Sequence, residues 1–119
     1  MALSTGQIDA LRLLGYFFLT QGLHAKAVTI FAALDRLSPN TPTLLRALAV
    51  ARDRQGEPAK ALEALDRLAM MGSIDSAFHM LRAKLLGDLD RWQEAQQAMA
   101  AAIKSRIPAQ SSSAEQALS

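Results

Sequence analysis

The chain repeats itself every 34 residues. Ala27, Ala61 and Ala95 stand at that spacing, and so do Phe31, Leu65 and Met99. Gly15, Ala49 and Ala83 form a third series, all small. Gly22, Gly56 and Asp90 form a fourth, all tolerant of turns. Four series at one period describe a chain built from one supersecondary unit used three times. A unit that short cannot bury an apolar face alone, so neighbouring units must stack. The small residues let two helices approach closely, and the larger series fills space between neighbouring pairs. Gly22 and Gly56 suit the left-handed backbone that ends a helix.

The breakpoints agree with this unit. Helices are expected near 7–21, 24–37, 42–55, 58–71, 75–88 and 91–105. Thr41-Pro42 is a helix start, because a Thr side chain can accept a backbone hydrogen bond and Pro suits the first turn. Pro58 follows Gly56 in the same stop-then-start order. Gly72-Ser73 closes the fourth helix, and Ser73 or Asp75 can cap the fifth. Pro39 and Pro108 fall just beyond helices. Ile8, Leu11, Leu14, Gly15 and Phe18 share one helical face. Ala27, Ile30, Phe31 and Leu34 share another, and Ala61, Leu62, Leu65 and Leu68 a third. Ala and Leu dominate a composition that is only 5% aromatic, which favours helix over strand. The expectation is an all-α domain over residues 1–108, with three helix-turn-helix repeats and a disordered polar tail over 109–119.

Several function classes lose support on composition. The chain has no cysteine, so disulfides, thiolate metal sites and cysteine nucleophiles are excluded. His24 and His79 are the only histidines and stand near no carboxylate cluster with ligand spacing. No Gly-rich phosphate loop or nucleophile motif occurs, so neither catalysis nor a cofactor is expected. Net charge is only +2. Arg46, Arg52, Arg54 and Lys60 supply local basicity without interleaved aromatics, so nucleic acid is not the expected partner. Met1 to Gln7 carries no Lys or Arg, unlike a signal peptide. The apolar run Leu11 to Leu19 is broken by Arg12 and is too short to span a bilayer. A cytoplasmic chain without membrane insertion is expected.

Leu14-Gly15, Phe18, Gly22, Ala27, Phe31 and Pro39 resemble the tetratricopeptide repeat pattern. That likeness implies three repeats over roughly residues 8–107, forming a short right-handed superhelical array. The run Leu13 to Gly22, followed by His24-Ala25 and Ala27, further resembles the opening of the SctY (YscY-type) chaperones of type III secretion. The turn Gly87-Asp88-Leu89-Asp90 resembles that group too. The resemblance implies a bacterial cytoplasmic protein, peripheral at the secretion apparatus, in a hetero-oligomer with a small secreted component of SctX type. It also implies engagement of the export gate. The SctG-type chaperones of the needle subunit are a close variant, and a cytoplasmic scaffold unrelated to secretion is the alternative. Some positions depart from the repeat pattern. Arg52 replaces a large apolar residue, Arg82 replaces Leu, and Ser73 replaces the closing Pro. Phe78, Leu81 and Leu85 suggest a one-residue slip of the fifth helix.

Stacked repeats form a groove lined by the first helix of each pair. By register, its lining is Arg12, Tyr16 and Leu19, then Arg46, Val50 and Asp53, then Met80 and Lys84. This apolar floor with a few charges suits an amphipathic helix or an extended apolar peptide. Tyr16 and Val50 occupy places where a clamp for a peptide's terminal carboxylate has Asn, so that mode is disfavoured. Phe17 and Phe18 are expected to pack within the repeats. Tyr16 has a hydroxyl that wants a polar partner, which makes it a groove candidate, with packing the alternative. Trp92 is expected against the preceding turn, with a partner contact the alternative. Met70, Met71 and Met80 are expected to fill core, or else to form an adaptable surface. Met99, Ala102 and Ile103 stand on a last helix with nothing apparent to cover them. Glu63, Asp66 and Arg67 fit a solvated face. The repeated Leu-Asp-Arg-Leu at 34–37 and 65–68 should pack by its leucines with charges outward.

Overall fold

A computed structural model of the chain describes residues 3–106, and the expected tail 109–119 lies outside them. Among the described residues the regular structure is entirely helical. The helices are α1 (Thr5–Thr20), α2 (His24–Leu37), α3 (Pro42–Arg54), α4 (Pro58–Met70), α5 (Ser76–Asp88) and α6 (Trp92–Arg106). They fall into two compact units, one ending at Ser73 and one beginning at Ile74. The first holds α1–α4 packed successively, and the second pairs α5 with α6.

The 34-residue series explain the turns. Gly22, Gly56 and Asp90 all adopt positive φ, at 77°, 83° and 59°. After each of them the chain makes the same hydrogen bond back into the helix. Leu23 N–H reaches Phe18 O at 2.8 Å, Glu57 N–H reaches Arg52 O at 2.9 Å, and Arg91 N–H reaches Leu86 O at 2.8 Å. Gly72 ends α4 in the same way, with φ 76°. This closure satisfies carbonyls that a helix end otherwise leaves without partners.

Helix starts vary more. α1 begins two residues before its expected start because Ser4 and Gln7 form a reciprocal capping box. Gln7 N–H donates to Ser4 Oγ at 3.2 Å, and Ser4 N–H donates to Gln7 Oε1 at 2.8 Å. Pro42 and Pro58 open α3 and α4. Thr41 does not cap α3 through its side chain; its hydroxyl donates instead to Ser38 O at 3.1 Å. Asp75, not Ser73, caps α5, accepting from Phe78 N–H at 2.8 Å.

The small-residue series marks the closest packing. A Cβ on Gly15 would lie 2.7 Å from Phe31 Cε1, so α1 meets α2 at a distance only glycine allows. Ala27, Ala49, Ala61, Ala83 and Ala95 are likewise buried. Phe31, Leu45, Leu65 and Leu68 are the largest fully buried side chains of the first unit, and Leu85 and Leu86 those of the second. Leu19, Ala27, Phe31 and Leu34 share one cluster with Leu44, Ala47, Leu48 and Ala51, so the first helix pair packs on α3.

Four expectations change. Phe17 is exposed, whereas Phe18 is half-buried against the core. Met70 lies in solvent and Met80 is exposed. Met99 does not fill space as Phe31 and Leu65 do, because its side chain is open. The slip of α5 does not occur. Phe78, Ala83 and Leu85 hold the repeat places of the buried Leu44, Ala49 and Ala51 and are buried themselves, Leu86 widens the set, and Leu81, at the place of the buried Ala47, is only half-buried.

Candidate functional site

The groove residues named from the sequence fall in two places, one in each unit. In the first unit Tyr16 and Leu19 of α1 meet Arg46 and Val50 of α3 around a hollow of about 270 Å³, completed by Thr43 and Ala47. The geometry follows from helical spacing, since Tyr16 and Leu19 on one helix and Arg46 and Val50 on the next lie three or four residues apart. Leu19 is buried and forms the floor. The Tyr16 ring stands edge-on to Phe31, with centroids 5.2 Å apart, which fixes its orientation. The walls are almost wholly carbon.

Arg12 and Asp53 are not in that lining. Arg12 lies one turn before Tyr16, half-buried, and its Nε is buried without a hydrogen-bond partner. Asp53 follows Val50 on α3 and is half-buried.

In the second unit Met80 and Lys84 of α5 line a larger hollow of about 420 Å³. Sequence reasoning missed what shares it: Trp92 and Met99 of α6, and Gly87 and Asp88 at the end of α5. Trp92 rests against the preceding turn as expected, its Cζ3 3.2 Å from the place a Gly87 Cβ would take, but most of the ring is exposed. The period could have revealed this hollow, because Gly87 replaces the bulk that Leu19 supplies two repeats earlier.

Charges near these sites are mostly paired. Lys84 Nζ donates to Asp88 Oδ2 at 2.9 Å, and Arg91 Nη2 to Glu94 Oε2 at 2.7 Å. The hydrogen bond from Arg91 is the main reason Glu94 stays below its ordinary carboxylate range. A polar crevice of about 240 Å³ opens elsewhere in the first unit, bounded by Arg36, Arg52, Lys60 and Arg67. Three of these cations are engaged, Arg52 and Lys60 by Glu57 and Arg67 by Asp35. Among the described residues no group of three or more His, Asp or Glu is placed to hold a metal. Among the same residues no helix is long and apolar enough to cross a membrane. The arrangement leaves one largely apolar hollow on each unit.

Comparison with known proteins agrees with the architecture. The tetratricopeptide repeat family matches residues 18–85. The fold is similar to the crystal structure of the Sgt2 tetratricopeptide repeat domain from Aspergillus fumigatus, with a TM-score of 0.76 and 19% identity. That match covers 90% of this chain and 70% of the other. At this identity the likeness concerns the fold alone. No curated protein matches the chain. The positive-φ turns at period 34, the small residues at each helix crossing and the family match over more than half the sequence place this chain in the tetratricopeptide repeat family.

Proposed function

We propose that this protein is a non-enzymatic chaperone of type III secretion. In this account it holds a small export component of SctX type against the hollow between α1 and α3 and helps present it to the export gate. The observation that carries the binding reading is the meeting of Tyr16, Leu19, Arg46 and Val50 around an apolar hollow on one unit. Such a surface takes the apolar stripe of an amphipathic helix, whose neighbouring polar residues then meet Arg46 at the wall and Arg12 beside it. Secretion as the setting rests on the likeness of residues 13–27 to the SctY chaperones.

Capture of the tagged protein from its native cell, followed by identification of the bound chain, tests this reading. A small secretion component at equal stoichiometry supports it, and a needle subunit assigns the chain to the SctG-type variant. A partner unrelated to secretion makes the protein a cytoplasmic scaffold. A soluble chain with no polypeptide partner overturns the proposal.

A further inference from the structure

The repeat register exposes a second surface, distinct from the hollow between α1 and α3. Inside the first unit the helix pair α1–α2 presents Leu19, Ala27, Phe31 and Leu34 to Leu44, Ala47, Leu48 and Ala51 of α3. One repeat earlier, the places of those four α3 residues belong to Ala10, Leu13, Leu14 and Phe17. All four are exposed, Leu13 at 71% and Phe17 at 55%. An apolar face built to receive a preceding helix pair therefore lies open on α1.

Its counterpart lies open on the second unit. Two repeats after Phe31 and Asp35 stand Met99 and Ile103 of α6, exposed at 44% and 52%. We propose that a second copy of this chain covers the open face of α1 with its α5–α6 face, so that chains add head to tail.

Three features of the sequence and structure favour a second copy as the occupant. The two open faces are the same two surfaces, by register, that pack on each other within the first unit. Their side-chain volumes are also complementary. At the covered junction Leu19 faces the cluster that includes Ala51. At the open faces the place of Leu19 is Gly87, beside the hollow of about 420 Å³, and the place of Ala51 is Phe17. Bulk removed from one face is added to the other. The charges agree as well. The covered junction carries the Asp35–Arg67 pair, and at the open faces those two places hold Ile103 and Ala33, so both members are replaced by apolar residues together. The two charged residues that line the α5–α6 hollow, Lys84 and Asp88, pair with one another and leave the rest of its lining largely apolar. A contact of this heterologous kind does not stop at two chains.

Sedimentation of the full chain, with Leu13→Glu as the head variant and Ile103→Glu as the tail variant, tests the proposal. The unaltered chain should grow past dimer mass between micromolar and near-millimolar concentration. Each variant alone should sediment as a monomer with unchanged helical content. An equimolar mixture, which joins one intact head to one intact tail, should form a species of twice the monomer mass and no larger. Because the chain lacks cysteine, Phe17→Cys and Met99→Cys chains can also be mixed under oxidation, and a disulfide-linked heterodimer is expected. A monomeric unaltered chain at every concentration, a Leu13→Glu chain that still dimerises, or a mixture that fails to combine overturns the proposal. If either Glu variant loses its helical content, the cysteine pair decides, and absence of the linked heterodimer overturns it. None of these substitutions touches the hollow between α1 and α3, so loss of assembly with retained partner binding separates this proposal from the proposed function.

Discussion

Arg67, in the last turn of α4, donates to both carboxylate oxygens of Asp35, near the end of α2. The distances are 2.6 Å from Nη1 to Oδ2 and 2.9 Å from Nη2 to Oδ1. Arg67 Nη2 also donates to Asn40 Oδ1 at 3.1 Å. The bidentate hydrogen bond raises the Arg67 pKa above its ordinary value. Both residues belong to the repeated Leu-Asp-Arg-Leu, whose leucine spacing predicts outward charges. The two copies of that motif stand 31 residues apart in the sequence rather than 34. The offset brings the acid of one copy within reach of the base of the other.

Removing that pair should loosen the first unit. Asp35 keeps 14% of its side-chain surface and Arg67 keeps 38%, so solvent weakens the interaction below that of a buried pair. A double-mutant cycle of Asp35→Ala and Arg67→Ala, read by urea denaturation, should give a coupling of about 1 kcal/mol. Arg67→Lys should recover less than half, since an ammonium cannot bridge both oxygens. Additive single effects would show that the pair contributes nothing.

Gly15→Ala should destabilise the protein although alanine is the better helix former. The propensity gain is about 1 kcal/mol. The added methyl would meet Phe31 Cε1 at 2.7 Å and Cζ at 2.9 Å. Phe31 is fully buried and stacked edge-on with Tyr16, so its ring cannot swing aside freely. Overpacking of this kind costs about 1–3 kcal/mol. A lower denaturation midpoint with an unchanged slope is the expected result.

Asp90→Gly should act in the opposite direction. Asp90 holds φ at 59° in the turn where Gly22 and Gly56 serve the first two repeats. Relieving the left-handed conformation is worth about 1 kcal/mol, partly offset by the freer unfolded chain. Thermal melting should shift upward by a few degrees, and amide exchange should slow at the α5–α6 turn.

Glu94 titrates below the ordinary glutamate range because Arg91 hydrogen-bonds to it, with desolvation opposing and the charges of Arg91 and Arg82 assisting. A depressed folded-state pKa means that the pair's contribution is present above the ordinary value and fades as pH falls through the folded one. A carbon NMR titration should place the Glu94 midpoint below that of a free glutamate, and Arg91→Ala should return it toward the ordinary value.

Much of the architecture is visible in the period. Six helices follow from small residues, turn residues and apolar faces repeated at one spacing, and their ends differ from expectation by at most two residues. The largest shift, at α1, comes from Ser4 and Gln7, polar residues that precede the apolar pattern and act through a hydrogen-bond exchange. Burial was less legible. Phe17 and Ala51 share a register, yet Ala51 is buried and Phe17 is not, because among the described residues nothing covers that face of α1. Met70 and Met99 fail as core for a related reason, since hydrophobicity gives an appetite for burial but not a neighbour to supply it. The candidate site was readable where one helix supplies consecutive lining residues, as with Tyr16 and Leu19. It was missed where Gly87 and Trp92 act through the absence and the direction of a side chain.

Another polypeptide is proposed to seat in the hollow between α1 and α3. Calorimetric titration of the captured partner into the unaltered chain and into Val50→Glu measures it directly. A buried carboxylate facing an apolar side chain should weaken binding at least tenfold, which corresponds to about 1.4 kcal/mol, while helical content stays unchanged. Equal affinity of the two chains for the partner would show that the partner does not seat there.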